Sequence, residues 1–262
     1  MDSNKKVVFF DIDGTLASNK VKSHNMVERV PESSVKAIDR LKENNITPAI
    51  ATGRGYLAVK PLAAALGIDS MVCSNGLSVV YQGKEIYQRF LSYREIEDTM
   101  EVLMPLEDIT VIFETTKGNV LFKSGYMGGE LKPEICMEQL EEIKEYEVYQ
   151  LIVVGEDIKE RVHTEIPGLQ VKKVAPVAVN IYPEGLSKAT GISEMLSILN
   201  IDKSEAVAFG DEENDLEMFE TVGFSVAMGN GVEALKKIAS YVTDSVDEDG
   251  IYNACLHLGL IK

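Results

Sequence analysis

The chain has 262 residues, 45% of them apolar and 26% charged, and 42 acidic against 26 basic side chains give a net charge of −16. That length suits one large α/β domain or a core with a smaller companion, and that composition excludes long disordered stretches. The negative field argues against nucleic acid and anionic membrane surfaces as partners, so a site for an anion must gather its own positive charge from a metal ion, a lysine or backbone N–H groups.

In chain order, Val7-Val8-Phe9-Phe10 is short, apolar and β-rich and predicts a buried strand ending directly before Asp11. Val35, Ile38 and Leu41 recur at helical spacing after Pro31-Glu32-Ser33, predicting a helix over 33–44. A second strand over 46–51 contains Pro48, which lacks the N–H that a central strand uses. A helix over 56–66 stops at Gly67, and a short strand over 71–74 precedes the turn pair Asn75-Gly76, with β structure again over 77–81. From about Gly83 the pattern becomes mixed α+β. Strands are expected over 85–91, 110–114, 120–123, 149–154, 169–174 and 177–182, and helices over 93–104, 133–144 and 157–164. After Pro183-Glu184-Gly185 strict alternation returns: helix 187–200, strand 206–209, helix 214–220, strand 224–227, helix 232–239 and strand 241–243. The simplest architecture is a doubly wound α/β core, residues 1–82 and 184–262, made of both ends of the chain, with an α+β domain over 83–183 inserted between them.

Cys73, Cys136 and Cys255 are scattered and form no CxxC, which argues against a disulfide framework or structural zinc and fits a reducing, cytoplasmic setting. The opening residues 1–6 lack a signal-peptide apolar segment, and no apolar run approaches membrane-spanning length.

Four constellations carry chemistry. In Asp11-Ile12-Asp13-Gly14-Thr15-Leu16, two carboxylates at i and i+2 leave the end of a strand together. One can attack phosphorus to give an aspartyl-phosphate, and the other can protonate the leaving oxygen and then activate water. Asp-Gly is also a common turn, so a cap is the plain alternative for Asp13. Ala51-Thr52-Gly53-Arg54-Gly55 joins a strand to a helix, offering a hydroxyl and N–H groups to a phosphate, or serving only as a connection. Lys188 stands near the first turn of its helix, where the helix dipole disfavours a cation, so an anionic partner would explain it; solvated surface is the alternative. Phe209-Gly210-Asp211-Glu212-Glu213-Asn214-Asp215 places more carboxylates at another strand's end. Glu212 and Glu213 read as helix-start acids. Asp211 and Asp215, added to Asp11 and Asp13, would repel one another without a cation, and Mg2+ answers that need.

These residues resemble the motifs of the haloacid dehalogenase-like hydrolase superfamily. Asp11 to Thr15 matches its DxDGT motif, Thr52-Gly53-Arg54 its second, Lys188 its third and Gly210 to Asp215 its fourth. The TGR form, the insert, Ser74-Asn75-Gly76 and the tail Glu248-Asp249-Gly250-Ile251 look like the Cof-like phosphatase subfamily. The resemblance implies a Rossmann-like core with an α/β cap. It implies Asp11 as nucleophile and metal ligand, Asp13 as acid/base and as metal ligand through its backbone carbonyl, Asp211 as the further metal ligand, and Asp215 in support. Thr52, Gly53, Lys188 and Asn214 would hold the phosphate. The expected activity is Mg-dependent hydrolysis of a small phosphorylated metabolite: a sugar phosphate, a nucleotide or a cofactor phosphate.

Two other readings stand beside it. A phosphomutase shares the chemistry but needs cap arginines, of which the insert has Arg89, Arg94 and Arg161. A phosphometabolite sensor without turnover is opposed by the intact Asp13. Arg89, Lys117, Lys123 and Tyr126 are candidate polar contacts in the cap, the 125–129 stretch a candidate mobile loop, and His24, His163 and His257 match no catalytic spacing. A monomer or homodimer is expected.

Overall fold

The structure, a computed structural model, describes residues 5–126, 135–162 and 165–262. Its elements run β1 (Val7–Phe10), α1 (Glu32–Glu43), β2 (Thr47–Ala51), α2 (Tyr56–Ala65), β3 (Ser70–Cys73), β4 (Ser78–Tyr81), β5 (Lys84–Gln88), α3 (Tyr93–Leu103), β6 (Thr110–Thr115), β7 (Gly118–Ser124), β8 (Ile135–Cys136), β9 (Val148–Val154), α4 (Ile158–Arg161), β10 (Leu169–Ala175), β11 (Ala178–Pro183), α5 (Lys188–Ile198), β12 (Ala206–Gly210), α6 (Leu216–Thr221), β13 (Phe224–Ala227), α7 (Glu233–Ile238), β14 (Tyr241–Val242) and α8 (Gly250–His257). Two compact units result: Met1–Gln88 with Ser187–Lys262, and Arg89–Leu186.

The first unit holds an eight-stranded sheet in the order β14-β13-β12-β1-β2-β3-β4-β5. It is parallel from β14 to β3 and closes with the antiparallel pairs β3–β4 and β4–β5. Helices cover both faces, which is why β1 reads as an unbroken apolar run. Val8 and Phe10 pack with Ile38 and Leu41 of α1, Leu62 of α2 and Ala254 of α8. Val7 and Phe9 pack with Ile192 and Met195 of α5 and Met218 of α6. Pro48 is tolerated for a local reason. Thr47 N–H donates to Lys6 O on the β1 side, so alternation turns Pro48 toward β3, where pairing starts only at Ala49 opposite Ser70.

The second unit is a six-stranded sheet, β10-β11-β9-β6-β7-β8. Ile96, Met100 and Leu103 of α3 and Ile158 of α4 pack on Val111, Phe113, Leu151, Val153, Val179 and Ile181. A capping box between Ser92 and Glu95 starts α3.

Some elements differ from the sequence reading. β5 joins the large sheet through the tight β4–β5 hairpin, so the units part at Gln88/Arg89 and Leu186/Ser187. The expected helix over 133–144 is, in its described part, the strand Ile135–Cys136 and the 3-10 turn Leu140–Glu145. Ile135 and Cys136 pair instead with Val120 and Leu121 of β7, and Ile143 is the sole buried residue of that turn. The helix expected over 157–164 is the single turn of α4, with residues 163–164 outside the described part. α8 was not foreseen; it starts from Asp249 in the left-handed region (φ 60°), a start that lacks the usual side-chain cap.

Candidate active site

β1 lies between β12 and β2, and Asp11 continues it, with its N–H donating to Phe209 O at 3.1 Å. A strand flanked by parallel neighbours delivers its next residue to the carboxyl edge of the sheet, where α/β folds bind ligands. β12 delivers Asp211 to the same edge, and α5 brings Lys188 there. That last approach depends on two glycines. Gly191 on α5 faces Gly76, and a Cβ on Gly76 (φ 89°) would stand 2.2 Å from Ser187 O, while one on Gly191 would stand 2.5 Å from Val72 Cγ1.

Lys188, 2% exposed, donates from Nζ to Asp11 Oδ1 at 2.6 Å, to Asp215 Oδ1 at 2.8 Å and to Asn214 Oδ1 at 3.5 Å. Asp215 is used from both sides: its Oδ2 accepts the N–H groups of Asp211 and Glu212 at 3.0 and 3.2 Å. Asp211 Oδ1 accepts the hydroxyl of Thr15 at 2.8 Å. Gly14 makes room for that carboxylate, since a Cβ there would meet Asp211 Oδ2 at 2.1 Å. Gly14 O in turn accepts from Asn230 Nδ2 at 2.8 Å.

Asp11, Asp211 and Asp215 thus offer one oxygen each within 4.8 Å of one another, all buried. Burial, reinforced by Asp215 and Asp13 and opposed by Lys188, pushes the Asp11 carboxyl up to about 7. Burial and then Asp11 push Asp211 up to about 8, against the Thr15 hydrogen bond. Burial opposes the Lys188 charge, but Asp11 and Asp215 outweigh it and hold the ammonium above its ordinary range. One lysine against three carboxylates leaves net negative charge in a poorly solvated place. Asp11 Oδ2 and Asp211 Oδ2 accept no hydrogen bond among the described residues. A hard, all-oxygen donor set of this kind fits a divalent cation such as Mg2+.

Asp13 sits in a different setting. Its Oδ1 accepts from Arg29 Nη2 at 3.0 Å and its Oδ2 from Arg54 Nε at 2.8 Å. Burial alone would raise its carboxyl, but Arg54 and Arg29 together hold it below the usual carboxylate range. Thr52 is buried just past β2, its N–H on Val72 O at 2.8 Å and its Oγ1 accepting Arg54 N–H at 3.2 Å. Asn75, left-handed at φ 55°, donates its N–H to Thr52 O at 3.3 Å, and its side chain lies where a Cβ on Gly53 would reach Oδ1 at 2.8 Å. Asn214 is exposed at its 3-10 turn.

The side chains of Asp11, Lys188, Asn214, Asp215 and Asp211 therefore meet, with Asp13, two residues on from Asp11, held on its arginines. Sequence reasoning missed the role of the Thr15 hydroxyl, as it missed Asn230 and Arg29, which lie outside any recognisable spacing. The cap candidates turn to their own unit. Arg89 pairs with Glu95 at 2.8 Å, Lys117 Nζ donates to Glu145 O at 3.1 Å, and Lys123 Nζ donates to Met104 O and Leu106 O at 3.1 and 2.5 Å. Tyr126 O accepts the Thr110 hydroxyl at 2.9 Å, and residues 127–129 of the expected loop lie outside the described part, as does His163. His257 stacks on Tyr241 at 4.5 Å and His24 is exposed. No helix among the described residues is long and apolar enough to cross a membrane.

Comparison with known proteins follows the same line. The family model described as haloacid dehalogenase-like hydrolase matches residues 8–255. YkrA of Bacillus subtilis strain 168 is 34% identical over 266 residues, covering 100% of both chains. The solved structure of BT1666 from Bacteroides thetaiotaomicron, described among phosphatases of the haloalkanoate dehalogenase superfamily, superposes with a TM-score of 0.83 at 27% identity, covering 99% of this chain and 97% of its own. BT4131, described as a subclass IIB sugar phosphatase, gives a TM-score of 0.82 at 27% identity, covering 98% and 100%. With its Rossmann-like core and the whole of its length so matched, the chain belongs to the haloacid dehalogenase-like hydrolases, among that family's phosphatases.

Proposed function

We propose that this hydrolase is a Mg-dependent phosphatase of small phosphorylated metabolites that works through an aspartyl-phosphate on Asp11. The observation that carries the reading is the buried Asp11 carboxylate at 2.6 Å from Lys188, with a second carboxylate two residues on. Asp11 attacks phosphorus through one oxygen, the bond from phosphorus to the leaving oxygen breaks, and Asp13 gives that oxygen its proton. Water then attacks the aspartyl-phosphate, Asp13 takes a proton from the water, and phosphate leaves with Asp11 restored as a carboxylate. Lys188, Asn214 and the N–H groups of Thr52 and Gly53 hold the phosphate oxygens. Asp215 holds Lys188 and the Asp211 backbone in place. Asp11, Asp211 and the Asp13 backbone carbonyl would hold Mg2+, which when bound offsets the carboxylates' charge and draws electrons from the phosphoryl group. Lys188 also favours the ionised form of Asp11, opposing the burial that raises its carboxyl to about 7.

Arg89–Leu186, placed in sequence between the two halves of the core, serves as the substrate-selecting cap. Sugar phosphates come first among candidate substrates, since BT4131 is described as a sugar phosphatase. A mutase reading is weakened because the unit's arginines have internal partners: Arg89 on Glu95, Arg94 on Asp98, and Arg161 on Glu107 O. The test is phosphate release from a panel of sugar phosphates, nucleotides and cofactor phosphates, with Mg2+ and with a chelator, for the wild type and Asp11→Asn. Release that needs Mg2+ and disappears in the variant supports the reading; equal release by the variant overturns it.

A further inference from the structure

Asn230 stands in the loop between β13 and α7, outside all four motifs, and is exposed. Its side-chain amide is nevertheless used at both ends: Oδ1 accepts Val246 N–H at 2.9 Å, and Nδ2 donates to Gly14 O at 2.8 Å. Reversing the amide would set donor against donor and acceptor against acceptor, so these partners fix its orientation. The loop that carries it is anchored on the end of β12, where Met228 N–H donates to Gly210 O at 3.0 Å and Val232 N–H to Asp211 O at 2.8 Å. On its other side, Gly229 N–H donates to Asp244 O at 3.0 Å. Asn230 is thus a side chain held from the backbone of Asp211 that reaches the backbone just past Asp13.

We infer that Asn230 is a positioning residue for the metal site: it fixes the Gly14–Thr15 peptide and, through it, the Asp13 backbone carbonyl and the Thr15 hydroxyl. The inference rests on the reading given above, in which Asp11, Asp211 and the Asp13 carbonyl hold Mg2+. Gly14, at φ 88°, has no Cβ to limit rotation on either side, so each of its two peptides needs a partner of its own. Gly14 N–H donates to Ala17 O at 2.8 Å, and in a trans peptide this turns the Asp13 carbonyl the opposite way. The next peptide has a long bond from Thr15 N–H to Ile12 O, at 3.3 Å, and Asn230 on its carbonyl. Beyond it the Thr15 hydroxyl reaches Asp211 Oδ1 at 2.8 Å. Loss of Asn230 lets this peptide rotate, which draws the Thr15 hydroxyl off Asp211 and loosens the turn that aims the Asp13 carbonyl. Removing a group that orients metal ligands from behind typically costs about 10- to 100-fold in metal affinity. Because Asn230 is exposed, its truncation leaves no core cavity to disturb the site indirectly.

The experiment titrates wild type, Asn230→Ala, Asn230→Asp and Asn253→Ala with Mn2+ in the absence of substrate, following the free ion by electron paramagnetic resonance. The Mg2+ concentration for half-maximal hydrolysis of 4-nitrophenyl phosphate is measured alongside. Asn253 serves as the control: its Nδ2 donates to Asp244 Oδ2 at 2.8 Å and Glu248 O at 3.3 Å, so its loss loosens the loop beneath Asn230 without touching Gly14. Asn230→Ala should weaken Mn2+ binding about tenfold or more and raise the half-maximal Mg2+ concentration by a similar factor, while kcat at saturating Mg2+ stays within about threefold. Asn230→Asp can still accept from Val246 but has no donor for Gly14 O, so it too should weaken binding, although its added negative charge alone would tighten it. Asn253→Ala should shift metal affinity by less than about twofold, whatever its melting temperature. Wild-type affinity in Asn230→Ala, a loss no larger than that of Asn253→Ala, or tighter binding in Asn230→Asp would overturn the inference. Should Asn230→Ala not fold, Asn230→Asp is read against the same control. Wild-type protein that binds no Mn2+ and needs no Mg2+ would remove the underlying reading and this one with it, whereas a metal-dependent wild type whose Asn230 variants titrate like it removes this one alone.

Discussion

The two sheets treat charge in opposite ways. In the second unit, cations are absorbed close to home: Lys123 and Lys117 on backbone carbonyls, Arg94 on Asp98, Arg89 on Glu95. Even its buried polar pair, Gln150 with Glu114 at 3.0 Å, joins neighbouring strands β9 and β6. In the first unit the decisive bonds span the chain: Lys188 to Asp11 across 177 residues, Thr15 to Asp211 across 196. Parallel strands end side by side, so residues remote in sequence arrive at one edge. Antiparallel hairpins return at once and satisfy their charges with neighbours. Carboxylates therefore gather at the edge of the large sheet, where they meet too few cations.

That contrast can be broken from its strongest point downward. Asp11→Asn is expected to lower phosphate release by at least about ten-thousandfold, yet to leave the fold intact, since it removes one of several repelling carboxylates. Parallel assays of release and thermal unfolding check both halves. Lys188→Met leaves Asp11 and Asp215 buried without their cation; a loss of about 3–5 kcal/mol in urea unfolding is expected, with activity falling alongside. A stability equal to wild type would mean that water or protonation compensates, and the site would be less dry than its burial implies. Asp211→Ala should raise steeply the Mg2+ concentration needed for half-maximal activity; an unchanged titration curve would exclude it as a ligand.

The fourth test uses pH. Asp11 and Asp211 hold their protons to about 7 and about 8 when folded, whereas an unfolded aspartate releases its proton near about 3.9. Between these values the folded state binds more protons, so stability falls as pH rises from about 4 and levels off above about 8. In chelator the melting temperature should decline across that window, and Mg2+ should flatten the slope. A flat profile in chelator would mean that the carboxylates are better compensated than the geometry indicates. The smallest effect belongs to the second unit: Ser92→Ala, removing the cap of α3, should cost about 1 kcal/mol and leave kcat unchanged.

The motifs around Asp11, Thr52 and Asp211 were legible because each lies at a strand end whose apolar pattern is plain, as with Val7–Phe10 before Asp11 and Ala206–Phe209 before Asp211. Lys188 had no local signal beyond an awkward position against its helix dipole; its place is set by Gly76 and Gly191, which let α5 approach the Ser74–Gly76 turn. Arg29 and Asn230 were invisible for a stronger reason. Their partners, Asp13 and Gly14, are 16 and 216 residues away, and no periodicity marks a residue whose role is to meet another loop. In the second unit the short helical turns misled, because Leu140–Glu145 has helical residues but a single buried side chain to hold a helix down.

The sequence by itself determined the doubly wound core, the residue types of the site and the class of reaction they suit, because strand ends, helix starts and paired carboxylates are local patterns. The tertiary structure alone decided that Lys188 bridges Asp11 and Asp215, that Thr15 and Asp211 meet, that β5 belongs to the large sheet, and that Asp13 rests between two arginines. Those facts depend on where distant segments come to rest, and that is settled by packing and hydrogen bonding over the whole chain.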